Sequence, residues 1–491
     1  MPSKKSVTSK KVIGSSSRSK EKDKEKKEKA ISKSPKTLPI PQLLRGMRDI
    51  LPVEMPYWLW LRNKLESLAT YFGYHFIETP ILEMRDLFIR SVGKQTDIVE
   101  KEMYTFQDIG GENICLRPEG TASIARAYIN HGMLNLPQPV KLFYFGPMFR
   151  HERPQAGRYR QFYQAGFEIL GDSHPVLDAE LILIAFSLFH QELGLPVIFQ
   201  INSIGCQNCR AVYRNELINY YKTKRGLLCE NCKRRLMTNP FRLLDCKEPQ
   251  CEILKENAPQ TLDYLCEECR NHFFKVIEYL DDLGLPFNLN PHLVRGLDYY
   301  NRTVFEIYLA EKSSEKENPK ESEKQSSLYN QTKTKKEEEE EETLSAQAAL
   351  GGGGRYDGLI ELLGGRPTPA VGFALGIERV IAQLKEAKIS PSTISSPQVF
   401  IAQLGESARR KALHLLLLLQ GQVRVAFSFS KDGLKPQLEL ANRLGVSYTI
   451  IIGQKEVMDE TVILRDMEAG IQEIIPYNKI VADLKRRLGL T

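Results

Sequence analysis

KLFYFGPMFRHERPQAGRYRQFYQAGFEIL, residues 141–170, sets the fold class of this chain. Two strand-like runs, 141–149 and 161–170, flank an Arg-rich segment that carries Pro and Gly, the pattern of strands joined by a loop. Strand runs this long, with few helices between them, predict an α+β fold with a largely antiparallel sheet and flanking helices. Outward from there, YWLWLRNKLESLATYF (57–72) places apolar residues at helical spacing, HFIETPILE (75–83) reads as strand, and 177–193 reads as helix. Past KISPSTISSP, with a linker over 388–396, the order is strand, helix (405–420), strand, helix (433–444), strand. That alternation predicts a small α/β domain over 397–491 with parallel pairing.

Composition sets the remaining bounds. A chain of 491 residues, 42% hydrophobic and 26% charged, has the make-up of a soluble globular protein of several domains. Its net charge of +7 is unevenly placed. Residues 1–37 hold 13 Lys/Arg against 4 Asp/Glu, and 311–349 hold 7 Lys against 11 Glu, so the rest is close to neutral. Residues 1–38 are expected to be a disordered basic tail, serving as a solubilising extension or as an arm that loosely holds RNA. The 311–349 stretch, with six successive glutamates from Glu337 to Glu342, is expected to be a solvated loop. The tail has no apolar core of a signal peptide, and the apolar run around Leu415–Leu419 is too short to span a bilayer. A cytoplasmic protein with no membrane association is the expectation.

Eight of nine cysteines fall between 206 and 269, as Cys206/Cys209, Cys229/Cys232, Cys246/Cys251 and Cys266/Cys269. Short Cys-x-x-Cys turns present two thiolates to one tetrahedral ion, so the spacing allows one or two structural zinc sites. Reduced thiols on the turns of a small domain are the alternative. No His-x-Glu partner for a catalytic zinc stands nearby.

Several short stretches carry chemistry. Glu119 lies between Pro118 and Gly120 near a predicted helix start, where a carboxylate is often only a cap. Residues 150–160 hold four arginines interleaved with aromatic and turn residues, a plausible phosphate and base clamp or an exposed hairpin. Arg295 beside Gly296, with Tyr299 and Tyr300, suits a polar pocket or an exposed turn. Gly351–Gly354 could cradle phosphate ahead of a helix, although the Lys-Ser/Thr of a phosphate-binding loop is missing. Arg379 stands near the start of a predicted helix after Gly376.

Taken together, RPEGT (117–121), FRHERPQAGRYRQF (149–162), RGLDYYNRTVFE (295–306), GGRYDG (353–358) and GFALGIER (372–379) resemble the histidyl-tRNA synthetase family of class II aminoacyl-tRNA synthetases. The resemblance runs over essentially residues 40–491, with the motifs in family order. It implies a class II catalytic domain over 39–387, built on a six- to seven-stranded antiparallel sheet. An insertion domain would occupy 206–290 and an anticodon-binding domain 397–491.

The implied reaction joins histidine to ATP as histidyl-adenylate and then to the 3′ end of histidine tRNA. By the resemblance, Arg150 and Arg295 are the catalytic cations at the α-phosphate. Arg379 and Arg158 contact ATP, and Phe162 stacks on adenine. Glu119, Thr121 and Gln164 hold the α-amino group. Glu168 and Tyr300 bond the imidazole nitrogens, with Tyr299 beside them. ATP with Mg2+ is the implied substrate complex, and a homodimer is implied through the segment around Gly73–Pro80. The same fold also serves as a non-catalytic regulatory subunit or sensor. Retention of Arg150, Arg295, Arg379 and residues 397–491 favours the enzyme.

Overall fold

The computed structural model describes residues 40–152, 158–310, 349–391 and 397–490. The expectations placed on 1–38, on nearly all of 311–349 and on part of the 388–396 linker lie outside the described residues.

Strand β1 (His75–Phe76) precedes a small sheet of β2 (Leu82–Met84), β3 (Thr105–Gln107) and β4 (Asn113–Leu116). The long runs then form β5 (Val140–Phe149) and β6 (Gln161–Leu170), antiparallel from Val140↔Leu170 to Phe149↔Gln161. With β7 (Val197–Ser203), β8 (Phe287–Leu289), β9 (Asn301–Leu309), β10 (Gly351–Arg355) and β11 (Ala370–Gly376) they make one sheet of order β1-β5-β6-β11-β10-β9-β7-β8. The six inner strands are antiparallel, whereas β1 and β8 pair in parallel with β5 and β7. The sheet is therefore largely antiparallel as expected, with six antiparallel strands at its centre and one short parallel strand added at each edge.

A correction concerns Gly351–Gly354. These residues are no phosphate-cradling loop: they run as β10 between β9 and β11, hydrogen-bonded on both sides.

Side-chain alternation along the inner strands sends one set of residues to each face. Phe167 and Ile169 of β6, Phe305 and Ile307 of β9, and Val371 and Phe373 of β11 join one core. Helix Met55–Tyr71 packs there through Trp58, Leu61, Leu65 and Leu68, spaced at three to four residues. Leu61 and Leu65 are fully buried, each contributing about 1.5–3 kcal/mol. The expected 177–193 helix lies on the same face as Val176–Phe186, continued by wider π turns to Glu192. The opposite face carries the site, beside a second core that takes Leu142 and Tyr144 of β5 and Val304 of β9.

Between β7 and β8 the chain runs through helices Gln207–Thr223, Glu230–Thr238 and Pro249–Lys255. These enclose a small core of their own around Tyr213, Leu217 and Leu243. The following helix, Glu267–Asp282, returns to the main core through Phe273, Val276 and Leu280.

Beyond the linker, β12 (Val399–Gln403), β13 (Val425–Phe427) and β14 (Tyr448–Ile452) pair in parallel as expected. Then β15 (Thr461–Asp466) and β16 (Gln472–Pro476) add antiparallel strands, so this sheet is mixed too. Helices Glu406–Leu419 and Leu434–Leu444 form close to the predicted bounds. No helix among the described residues is long and apolar enough to cross a membrane.

Candidate active site

One face of the large sheet holds an open cleft with a cavity volume of about 270 Å³. All but one of the residues expected at the site line it. Arg150, Arg158, Arg295 and Arg379 share the cleft with Phe162. Arg150 is fixed by a bond from Nε to the Pro118 carbonyl at 2.8 Å, and its guanidinium stands 5.2 Å over the Phe162 ring. Arg158 reaches Glu152 at 3.3 Å and is otherwise half exposed. Arg379 projects from the first turn of helix Ile377–Glu386 and donates to the Ala349 carbonyl at 2.8 Å. Burial, and then the nearby Arg158 and Arg150, lower its pKa. A group of cations that repel one another in a cleft favours an anion between them.

Arg295 is paired with Glu306 of β9 and lies 5.6 Å over the Tyr300 ring. Burial opposes its charge, but Glu306 outweighs burial and raises its pKa. Its Nε, like Gln164 Oε1, is buried without a hydrogen-bond partner among the described residues. Buried polar atoms in native proteins are nearly always bonded, so both point to a polar occupant.

Glu119, Thr121, Gln164, Tyr299 and Tyr300 also line the cleft. Glu119 does cap a helix: its two oxygens accept from the backbone N–H of Thr121 (2.7 Å) and Ala122 (2.9 Å) at the start of Thr121–Asn130. It also receives the Tyr299 hydroxyl at 3.4 Å, so cap and cleft wall are one residue. Burial raises its pKa against those backbone bonds.

Glu168 is the exception. It is fully buried and is not among the cleft-lining residues. Thr121 Oγ1 donates to one of its oxygens at 2.7 Å and Tyr356 OH to the other at 2.6 Å. Burial pushes its pKa up to about 8, only partly offset by those two hydroxyls. Each Glu168 oxygen thus accepts one hydroxyl and keeps further acceptor capacity, and the carboxyl sits beneath the cleft next to Thr121, which lines it.

The comparisons with known proteins fit this geometry. A family model described as histidyl-tRNA synthetase matches residues 46–316, more than half of the chain, and an anticodon binding domain model matches 398–487. The chain belongs to the histidyl-tRNA synthetase family. Over 446 residues the synthetase is 44% identical to a histidine–tRNA ligase of Dehalococcoides mccartyi, covering 90% of this chain and 99% of that one. It is 44% identical over 443 residues to that of Desulforudis audaxviator, covering 90% and 98%. Its structure resembles apo histidyl-tRNA synthetase of S. aureus, with a TM-score of 0.71 at 35% identity, covering 91% of this chain and 100% of that one.

Sequence reasoning missed several residues of the synthetase site. Tyr144 and Glu306 line the cleft from β5 and β9, and Tyr356 holds Glu168 from below. Strand alternation was the available signal: Glu306 follows Phe305, a core residue, so it must face the other side. Glycines mark the same face. A β-carbon on Gly372 would fall 1.6 Å from Glu168 Oε2, and one on Gly352 would fall 2.8 Å from Arg295 Nη1. Arg355, by contrast, faces away from the cleft, fully buried against Asp178 (2.8 Å) and Asp357 (3.1 Å).

Eight of the nine cysteines gather into two groups of four, Cys206/Cys209/Cys266/Cys269 and Cys229/Cys232/Cys246/Cys251. In each group the sulfurs lie within 4.8 Å of one another, a donor set that could hold a metal ion. Neither group lines the cleft.

Proposed function

We propose that this cleft activates L-histidine with ATP and transfers it to histidine tRNA. The histidine carboxylate attacks the α-phosphorus while the bond to the bridging oxygen of the β-phosphate breaks, giving histidyl-adenylate and pyrophosphate. The terminal ribose hydroxyl of the tRNA then attacks the carbonyl carbon, and AMP leaves as the hydroxyl proton is released. The carrying observation is the convergence of Arg150, Arg295 and Arg379, from three separate motifs, in one cleft with Tyr299 and Tyr300.

In-line displacement at phosphorus needs placed positive charge more than a base, because the attacking carboxylate is already ionised. Arg150 and Arg295 stabilise charge growing on the α-phosphate oxygens. Arg379 and Arg158 hold the remaining phosphates, and Phe162 offers a face to adenine. ATP is bound as its magnesium complex, which neutralises part of the charge on the leaving pyrophosphate.

For the amino acid, Glu119 and the open Gln164 Oε1 accept from the α-ammonium, with Thr121 beside them. Tyr300 bonds the imidazole, and Tyr299 lines the same pocket. Glu168, steadied by the Thr121 and Tyr356 hydroxyls, offers its remaining acceptor capacity to the other imidazole nitrogen. A polar frame of this kind discriminates against apolar isosteres, which would leave buried groups unpaired.

Residues 397–491 are read as the anticodon-binding domain of a cytoplasmic homodimer. The two cysteine groups stand outside the reaction, since four thiolates leave an ion no open position. Histidine-dependent exchange of pyrophosphate into ATP tests the reading: robust exchange with histidine alone among the amino acids is expected. Absence of exchange would move the chain to the regulatory class that shares this fold.

A further inference from the structure

We propose that the insertion binds two structural zinc ions in a nested arrangement. The outer ion is held by Cys206, Cys209, Cys266 and Cys269, and the inner one by Cys229, Cys232, Cys246 and Cys251. This proposal does not depend on the reaction assigned to the cleft.

The geometry is that of single-ion sites. A tetrahedral zinc–thiolate centre with bonds of about 2.3 Å has sulfurs about 3.8 Å apart. Cys206 and Cys209 Sγ are 3.6 Å apart, and Cys229 and Cys246 Sγ are 3.9 Å apart. With all sulfurs of a group within 4.8 Å, there is room for one ion and none for a cluster with bridging sulfides. All eight are free thiols, and each faces three others, whereas a disulfide would use only one partner.

The backbone is arranged for thiolates. Cys206, Cys229 and Cys266 each occupy the N-cap position of a helix, where free N–H groups and the helix dipole favour negative charge. Backbone N–H groups point at sulfur: Cys266 to Cys209 at 3.1 Å, Cys229 to Cys251 at 3.3 Å, Cys232 to Cys229 at 3.4 Å. Five of the eight side chains are buried. Four thiolates in a closed shell select zinc over hard cations, which prefer oxygen.

The physical need is evident from size. The insertion core is a small cluster around Tyr213, Leu217, Tyr221 and Leu243, and a core of that extent commonly requires a metal staple. The inner ion fastens helix Glu230–Thr238 to helix Pro249–Lys255 through Cys232 and Cys251. The outer ion joins the points where the chain leaves the catalytic sheet and returns to it. There Cys266 caps, and Cys269 stands in the first turn of, a helix whose Phe273 and Val276 belong to the main core.

The experiment is metal analysis of the full chain, purified under reducing conditions without chelators from zinc-supplemented culture, by elemental analysis and native mass spectrometry. The expected result is two zinc ions per chain, one in Cys246→Ser and one in Cys269→Ser. Cobalt substitution should give the intense visible bands of tetrahedral cobalt–thiolate at two equivalents. One zinc per chain, iron in its place, no bound metal, or disulfides within the insertion of the purified protein would each overturn the proposal. The wild-type measurement decides the matter even where a serine variant fails to fold.

Discussion

The ring of Tyr144 on β5 packs against the backbone of Gly166, its cross-strand partner on β6. A β-carbon at Gly166 would fall 2.2 Å from Tyr144 Cζ, and one at Gly120 would fall 2.3 Å from the same atom. Tyr144 therefore fills the space that two glycines leave, under the loop that carries Glu119. Gly166→Ala should displace the ring into the cleft, because β6 is central and cannot retreat. The expected outcome is at least a tenfold rise in the KM for histidine in pyrophosphate exchange. An unchanged KM would show that the ring has another place to go.

Arg295 and Glu306 form an ion pair inside the cleft. Removing the cation that faces a developing phosphate charge typically costs about 10²–10³ in rate. Arg295→Ala is expected to lower kcat of the exchange by about that factor, in part because Glu306 is then left without its partner. Glu306→Gln keeps the cation and should lose less. Steady-state exchange kinetics on both variants check the order.

Glu168 gives a pH signature. Its pKa is raised by burial to about 8, against about 4.3 for a free glutamate. The folded protein thus holds this proton more tightly than the unfolded chain, so stability is full at low pH and is lost as pH rises through about 8. Calorimetry without ligands should show Tm falling from pH 5 to pH 8. Glu168→Gln should flatten that fall, leaving the part due to Glu378, whose pKa burial raises to about 7. An equal slope in the variant would contradict the assignment.

Arg210, next to Cys209, donates to the carbonyls of Tyr300 (3.0 Å) and Asp298 (3.3 Å). It positions the tyrosine loop from the insertion side without lining the cleft. Arg210→Ala should raise the KM for histidine several-fold while leaving that for ATP unchanged. A loss shared equally between the two substrates would indicate general loosening instead.

What could be read beforehand follows from physical signal strength. The runs 141–149 and 161–170 were legible because long strands have a strong apolar pattern, and the C-terminal alternation was legible for the same reason. β8 was not, since three residues carry no periodicity, and the run 75–83, read as one strand, divides into β1 and β2 of two different sheets, a split that depends on partners far along the chain. β10 was hidden because glycine has no strand propensity: Gly353 is required by the Gly372 carbonyl, 2.1 Å from a would-be β-carbon. The family motifs named most of the residues that meet in the cleft. The burial of Glu168 beneath the cleft was not legible, because a motif names a residue without stating which neighbours hold its oxygens. The cysteine spacing showed pairs, but not that the first pair meets the last.

That first-with-last meeting has a consequence for how the chain assembles. Cys229 to Cys251 is a short span, whereas Cys206 to Cys269 encloses it entirely. Closing the short loop first shortens the effective chain that the long closure must gather, so the entropic cost is divided between two steps. The insertion should thus order from its tip toward its base, and its seam with the catalytic sheet should be the last part to close during folding and the first to part when the protein is heated.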